Sequence, residues 1–185
     1  VEIDLMASFH FEPLPALARG DLDLVVTADP IPMSGIYYQP LFRYQALLAI
    51  ANQHKLVDSK HVEAEDLADQ TLIHYPVERK RLDIFTQFLE PKGIEPIGTR
   101  QADLTLMIVQ LVASGRGVAC LPNWALQPYL NAGLISSKPL GKSGVWPTLY
   151  AAIREDQMDT SYMKDFLQQS LQACNENLVG IEPVK

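Results

Sequence analysis

Residues 102–122 read ADLTLMIVQLVASGRGVACLP, and the fold class is decided there. Leu104, Met107, Ile108, Leu111 and Val112 recur at helical spacing and predict one apolar stripe. Asp103 stands at the entrance, where a carboxylate accepts from unpaired amide hydrogens and opposes the helix dipole. Gly115 and Gly117 suit a left-handed helix exit, Val118 to Leu121 form a short apolar strand, and Pro122 closes the unit. Helix, glycine turn, buried strand and proline in succession predict an α/β sheet.

The same alternation continues on both sides. Upstream, Val1, Ile3 and Leu5 alternate with Glu2 and Asp4 as an opening strand. A short helix over Leu14 to Arg19 ends at Gly20, and Leu22 to Ala28 reads as a buried strand. The run IYYQPLFRYQALLAIA at 36–51 is rich in β-formers but contains Pro40, which predicts two strands with a kink between them. A short acidic helix at 63–68 and a strand at 71–75 follow. Next come a helix from about Arg79 to Leu89, with Leu82, Phe85, Phe88 and Leu89 inward, and a polar strand near 96–101. Downstream, a helix at 124–131 is capped by Gly133, 134–140 is a strand, and 145–154 is a long strand containing Pro147. In the closing helix Met163, Phe166, Leu167, Leu171 and Cys174 share a face, with Asp159 or Thr160 as cap. Alternating strands and helices argue for parallel sheets with helices on both faces.

Two long β segments, near 41–50 and 146–153, divide the chain into outer and central portions. Two such crossings are what a two-lobed protein with a double-stranded hinge needs. Residues 1–44 with 148–185 would build lobe I, and 45–147 would build lobe II. A ligand cleft lined by strand ends and helix N-termini is the expectation for that arrangement.

Composition narrows the function. The chain has 185 residues and 48% apolar content, its mean hydropathy is near zero, and no apolar run approaches a membrane span. Fifteen Lys plus Arg against twenty-two Asp plus Glu leave a net charge of −7. No basic cluster is dense enough to hold a phosphate backbone, so these residues are not expected to grip nucleic acid themselves. Two cysteines, Cys120 in an apolar strand and Cys174 near the end, do not make a disulfide framework, which favours a reducing cytoplasm.

Catalytic and metal motifs fail on inspection. Gly141-Lys142-Ser143 resembles the tail of a phosphate loop, but Ser136 occupies the position of the required earlier glycine. Ser143 lacks the glycine-flanked nucleophile elbow. His10, His54, His61 and His74 show no ligand spacing with one another or with a cysteine, so surface or turn positions suit them better. Cys120 suits a small core residue rather than a nucleophile. No enzyme is visible.

Assembled in order, the segments resemble the effector-binding domain of LysR-type transcriptional regulators. Leu17 to Val25, LARGDLDLV, is similar to the family's glycine–aspartate–strand element, and Val112 to Pro122, VASGRGVACLP, to its helix–glycine–strand signature. Three further segments, Tyr75 to Asp83 (YPVERKRLD), Leu121 to Trp124 (LPNW) and Leu149 to Ala152 (LYAA), resemble the branch that governs methionine biosynthesis in response to homocysteine. The resemblance implies two Rossmann-like lobes of the type 2 periplasmic-binding-protein kind and no cofactor. The implied partners are a small-molecule effector, homocysteine, and further copies of the chain as a homodimer or homotetramer. DNA contact would pass through an N-terminal winged helix-turn-helix that this chain does not contain. By the same resemblance, the first strand and helix of the effector domain are also missing, and Val1 matches the second strand. The rival readings are a periplasmic solute-binding protein on the same fold, and an enzyme of the binding-protein class.

Homocysteine carries a carboxylate, an ammonium and a thiol on a short apolar linker, so its site needs a cation or helix N-terminus, an acidic group and an apolar slot. Arg79 and Arg81, beside Pro76, are candidates for a bidentate grip on the carboxylate, or else a solvated helix start. Thr27 and Asp29 follow a strand end where α/β folds place ligands; Asp29 suits an ammonium, or an ordinary turn before Pro30. Phe42 and Tyr44 would wall the cleft or pack the lobes. Ala102 and Asp103 sit where the family places a helix N-terminus at the cleft, with Asp103 as cap, ligand contact or both. Trp124 would pack on the neighbouring helix or line the interlobe rim, with packing favoured.

Overall fold

A computed structural model describes residues 2–6 and 12–184. Its regular elements are α1 (Pro13–Arg19), β1 (Leu24–Thr27), β2 (Ile36–Tyr44), β3 (Ala46–Ile50), β4 (Thr71–His74), β5 (Gly98–Gln101), α2 (Thr105–Ala113), β6 (Val118–Pro122), α3 (Asn123–Asn131), β7 (Ser136–Pro139), β8 (Thr148–Arg154), α4 (Ser161–Asn177) and β9 (Ile181–Glu182). The chain divides into two compact units, Val1–Arg43 with Thr148–Lys185, and Tyr44–Pro147.

The first unit holds a four-stranded sheet in the order β1-β8-β2-β9. Its β1–β8 and β2–β8 pairs are antiparallel, against the parallel arrangement the alternation implied. Leu14 and Leu17 of α1 bury against Val25, Ile36 and Ala152. The helix ends as its sequence requires: Gly20 takes φ 88°, and the amides of Gly20 and Asp21 donate to the carbonyls of Leu17 and Ala16. Arg154 locks that end by donating to the carbonyls of Leu17 (3.1 Å) and Leu22 (2.6 Å). In α4 the expected stripe is the sheltered side, with Met163 buried and Phe166, Leu167, Leu171 and Cys174 half-buried. Thr160 occupies the cap position, and its hydroxyl donates to the Gln157 carbonyl at 2.8 Å.

Several boundaries differ from the sequence reading. Residues 2–6 are exposed and form no strand, because no described strand pairs with them; Val1 and His10 lie outside the described residues. The break in 36–51 falls at Gln45 rather than Pro40. Pro40 stays inside β2, where a bulge between Pro40 and Phe42 absorbs its missing donor. The last long strand begins at Thr148, not Val145; Val145 makes only one bridge, to Ala46, and the Pro147 carbonyl accepts from the Tyr44 amide.

The second unit is a mixed five-stranded sheet, β5-β4-β6-β3-β7. Strand β4 runs parallel to β5 and β6, while β3 is antiparallel to β6 and β7. Alternate residues feed two cores. Leu48, Leu72 and Val118 join Phe85 and Leu89 on one face, and Ala49, Ile73 and Ala119 join Ile108, Val112 and Leu126 on the other. Gly117, between α2 and β6, is obligatory. A Cβ there would stand 2.4 Å from the Thr71 carbonyl oxygen.

Two elements of this unit depart from the sequence reading. Residues 79–89 are not one helix but a 3₁₀ turn, Arg79–Arg81, then a π-helical turn, Ile84–Leu89. Leu82 between them is extended, which lets it join Phe85 and Phe88 in the core. In α2 the buried face is Ile108, Val109 and Val112, whereas Leu104 and Met107 are 58% and 51% exposed. Nearly every residue from Leu104 to Val112 is apolar, so periodicity alone admits more than one stripe and the sheet selects among them.

Candidate functional site

The topology of the second unit singles out one end of its sheet. The chain leaving β4 goes to β5 on one side, while the chain leaving β6 passes through α3 to β7 on the other. Adjacent parallel strands whose connections diverge make a switch point, where open α/β sheets place ligands outside the carboxyl ends of the strands. The segments at that end are residues 75–83 after β4, Ala102 and Asp103 after β5, and Asn123 and Trp124 after β6.

These segments are held together locally. The Ala102 amide donates to the His74 carbonyl at 3.0 Å, joining the ends of β4 and β5. The Tyr75 hydroxyl lies 2.6 Å from Thr105 Oγ1, and the His74 ring meets Phe85 edge-on at 5.9 Å. The Asn123 amide donates to the Gln45 carbonyl at 2.9 Å, joining the start of α3 to the entry of β3. Tyr44, 4% exposed, packs edge-on against Trp124 with ring centroids 6.4 Å apart. The Trp124 Nε1 hydrogen is enclosed, with no acceptor among the described residues.

Asp83 acts electrostatically on both Tyr44 and Cys120. Burial first, then the Asp83 carboxylate and the Cys120 thiol, push the Tyr44 phenol well above its ordinary pKa. The Cys120 thiol, enclosed although its residue is half-buried overall, is pushed up by burial and again by Asp83. It therefore stays protonated and unreactive. Gln87 Nε2 donates to Asp83 Oδ1 at 2.5 Å.

The residues singled out in the sequence fare differently. Pro76, Ala102 and Asp103 stand at this sheet end; Ala102 is buried and Asp103 exposed. Asp103 is not the helix cap, because α2 starts at Thr105 with Leu104 in the cap position. Arg81 is half-buried. Arg79, an exposed residue, is committed to pairs within the chain: its guanidinium forks onto Glu95 (2.7 and 2.8 Å), pairs with Glu90 (2.8 Å) and lies 4.2 Å over the Phe85 ring. The hydrogen bond to Glu95 holds its pKa up further, so its fork is already filled. In the first unit, Thr27 Oγ1 accepts from the Asp29 amide at 3.1 Å, an ordinary turn. Beside that turn Tyr38 donates to the Ile31 carbonyl at 2.5 Å, and its pKa is raised by burial and then by Asp29. Phe42 is fully buried.

Asp83 carried no signal in the sequence, since its neighbours Tyr44 and Cys120 are remote in the chain. Trp124 was visible there, with packing favoured over a place on the interlobe rim. Among the described residues, no group of three His, Cys, Asp or Glu side chains suits a metal ion, and no helix is long and apolar enough to cross a membrane.

Comparison with known proteins agrees with this architecture. The family model described as the LysR substrate binding domain matches residues 1–175. The HTH-type transcriptional regulator MetR of Escherichia coli is 40% identical over 170 residues, 92% of this chain and 53% of the relative. The MetR of Haemophilus influenzae is 36% identical over 181 residues, 98% of this chain and 58% of the relative. The chain thus spans about half the length of the curated relatives it matches. The solved regulatory domain of MetR, a LysR family regulator from N. meningitidis, has a TM-score of 0.85 and 36% identity, covering 100% of this chain and 85% of that one. These relatives are transcriptional regulators, not enzymes or solute-binding proteins.

Proposed function

The chain belongs to the LysR family, whose substrate-binding domain it represents, and from that premise we propose that it senses homocysteine for a regulator of methionine metabolism. The carrying observation is the 40% identity to a MetR regulator over 92% of this chain. The sheet end of the second unit supports the reading, because it offers an acidic group, Asp83, enclosed aromatic rings and a half-buried Arg81 for a small polar amino acid. Pro76, Ala102, Asp103 and Tyr44 stand at that end, and within the first unit Thr27, Asp29 and Phe42 are the residues proposed for effector contact. Arg81, not Arg79, is the guanidinium assigned to the effector.

In the whole cytoplasmic protein, the domain would oligomerise and act on DNA through a helix-turn-helix domain. Homocysteine would shift the population between regulatory arrangements and alter how the DNA-binding domains are presented. Calorimetric titration of the full-length protein tests the ligand. Saturable binding of homocysteine, weaker in R81A and unchanged in R79A, is the expected outcome. Equal binding to wild type and R81A removes Arg81 from the site, and absence of binding removes homocysteine.

A further inference from the structure

Trp124 is the second residue of α3, directly after β6, and its Nε1–H is enclosed with no acceptor among the described residues. The ring is held in place. Tyr44 packs edge-on against it, and the segment carrying Tyr44 is tied to the start of α3 through the Asn123 amide and the Gln45 carbonyl. An indole nitrogen only donates, and burying a donor without an acceptor is unfavourable. Packing alone does not call for that nitrogen, since a phenyl ring supplies apolar contact without it. The group stands at the switch point of the sheet, where a ligand atom is the natural acceptor. Tyr44, packed on the indole, is also within electrostatic reach of Asp83, which adds to burial in raising the phenol's pKa. An amino acid supplies such an acceptor in its carboxylate.

We propose that Trp124 is an effector-contacting residue, its indole N–H donating to a carboxylate oxygen of a zwitterionic amino acid. The inference rests on the effector reading above and adds the residue that reads the α-carboxylate.

A ligand–residue cycle tests it in the full-length protein, with homocysteine and homocysteine methyl ester titrated into wild type, W124F and W124H. Wild type should prefer the free acid. In W124F homocysteine binding should fall about tenfold, the weight of one hydrogen bond to a charged acceptor, with ester binding unchanged; W124H, which keeps a ring N–H, should recover part of the preference. A W124F protein that keeps the full preference overturns the proposal. The wild-type Trp124 indole resonance gives a second readout that needs no variant to fold. If homocysteine does not bind, the effector reading fails, and that resonance is followed with methionine and homoserine instead. A carboxylate-dependent shift with either keeps Trp124 as a contact, and no shift with any of them overturns it.

Discussion

Single atoms decide much of this molecule. At Gly117 a Cβ would press on the Thr71 carbonyl at 2.4 Å, and that carbonyl begins β4. Neither backbone can yield without breaking the sheet, so G117A should lose about 3 kcal/mol, a figure for strain plus a core clash. Urea denaturation reads it, and an unchanged midpoint would contradict the packing described. Tyr44 and Cys120 make a second residue-scale prediction. Both are held neutral by burial and Asp83, so their folded pKa values lie above the unfolded ones. Groups shifted upward contribute stability that is complete below the unfolded values, about 8.5 for Cys and 10 for Tyr, and lost as pH climbs past them. The wild type should therefore weaken steeply above about pH 9, and Y44F and C120A should each flatten that decline. An identical alkaline profile in both variants would show that neither group titrates differently on folding.

At the scale of elements, α2 is the instructive case. Its existence, its glycine exit and the strand beyond it were legible in residues 102–122, because propensity and turn chemistry act locally. Its buried face was not, since Leu104, Leu106, Met107, Ile108, Val109, Leu111 and Val112 offer overlapping stripes. The sheet settles the matter by taking Ile108, Val109 and Val112. I108A should accordingly cost about 2–4 kcal/mol, the range for truncating a buried aliphatic side chain. M107Q should stay within about 0.5 kcal/mol of wild type in the isolated domain. Equal losses on chemical denaturation would restore the stripe read from the sequence. The 79–89 segment shows the complementary failure. Its inward residues were legible, yet the helix itself divides, with Leu82 extended toward the core and Arg79 engaged by Glu90 and Glu95.

For the whole molecule, the mixed α/β class was readable in the order of strands, helices and glycines, and the family in a few motifs. Strand direction was not readable: antiparallel pairing in the first unit depends on β8 inserting between β1 and β2, a contact of residues more than a hundred positions apart. The candidate site was partly legible for the same reason. Pro76, Ala102 and Asp103 follow strands and announce themselves, whereas Asp83 and the orphan indole of Trp124 gain meaning only when Tyr44 and Cys120 are brought beside them. An amino acid bound in this domain is proposed to change how the intact regulator engages DNA. Footprinting of the full-length protein on a methionine-biosynthesis promoter, with and without homocysteine, tests that claim most directly. A homocysteine-dependent change in the protected pattern, weakened in W124F, is the expected result; the same footprint at saturating homocysteine and in its absence would contradict it.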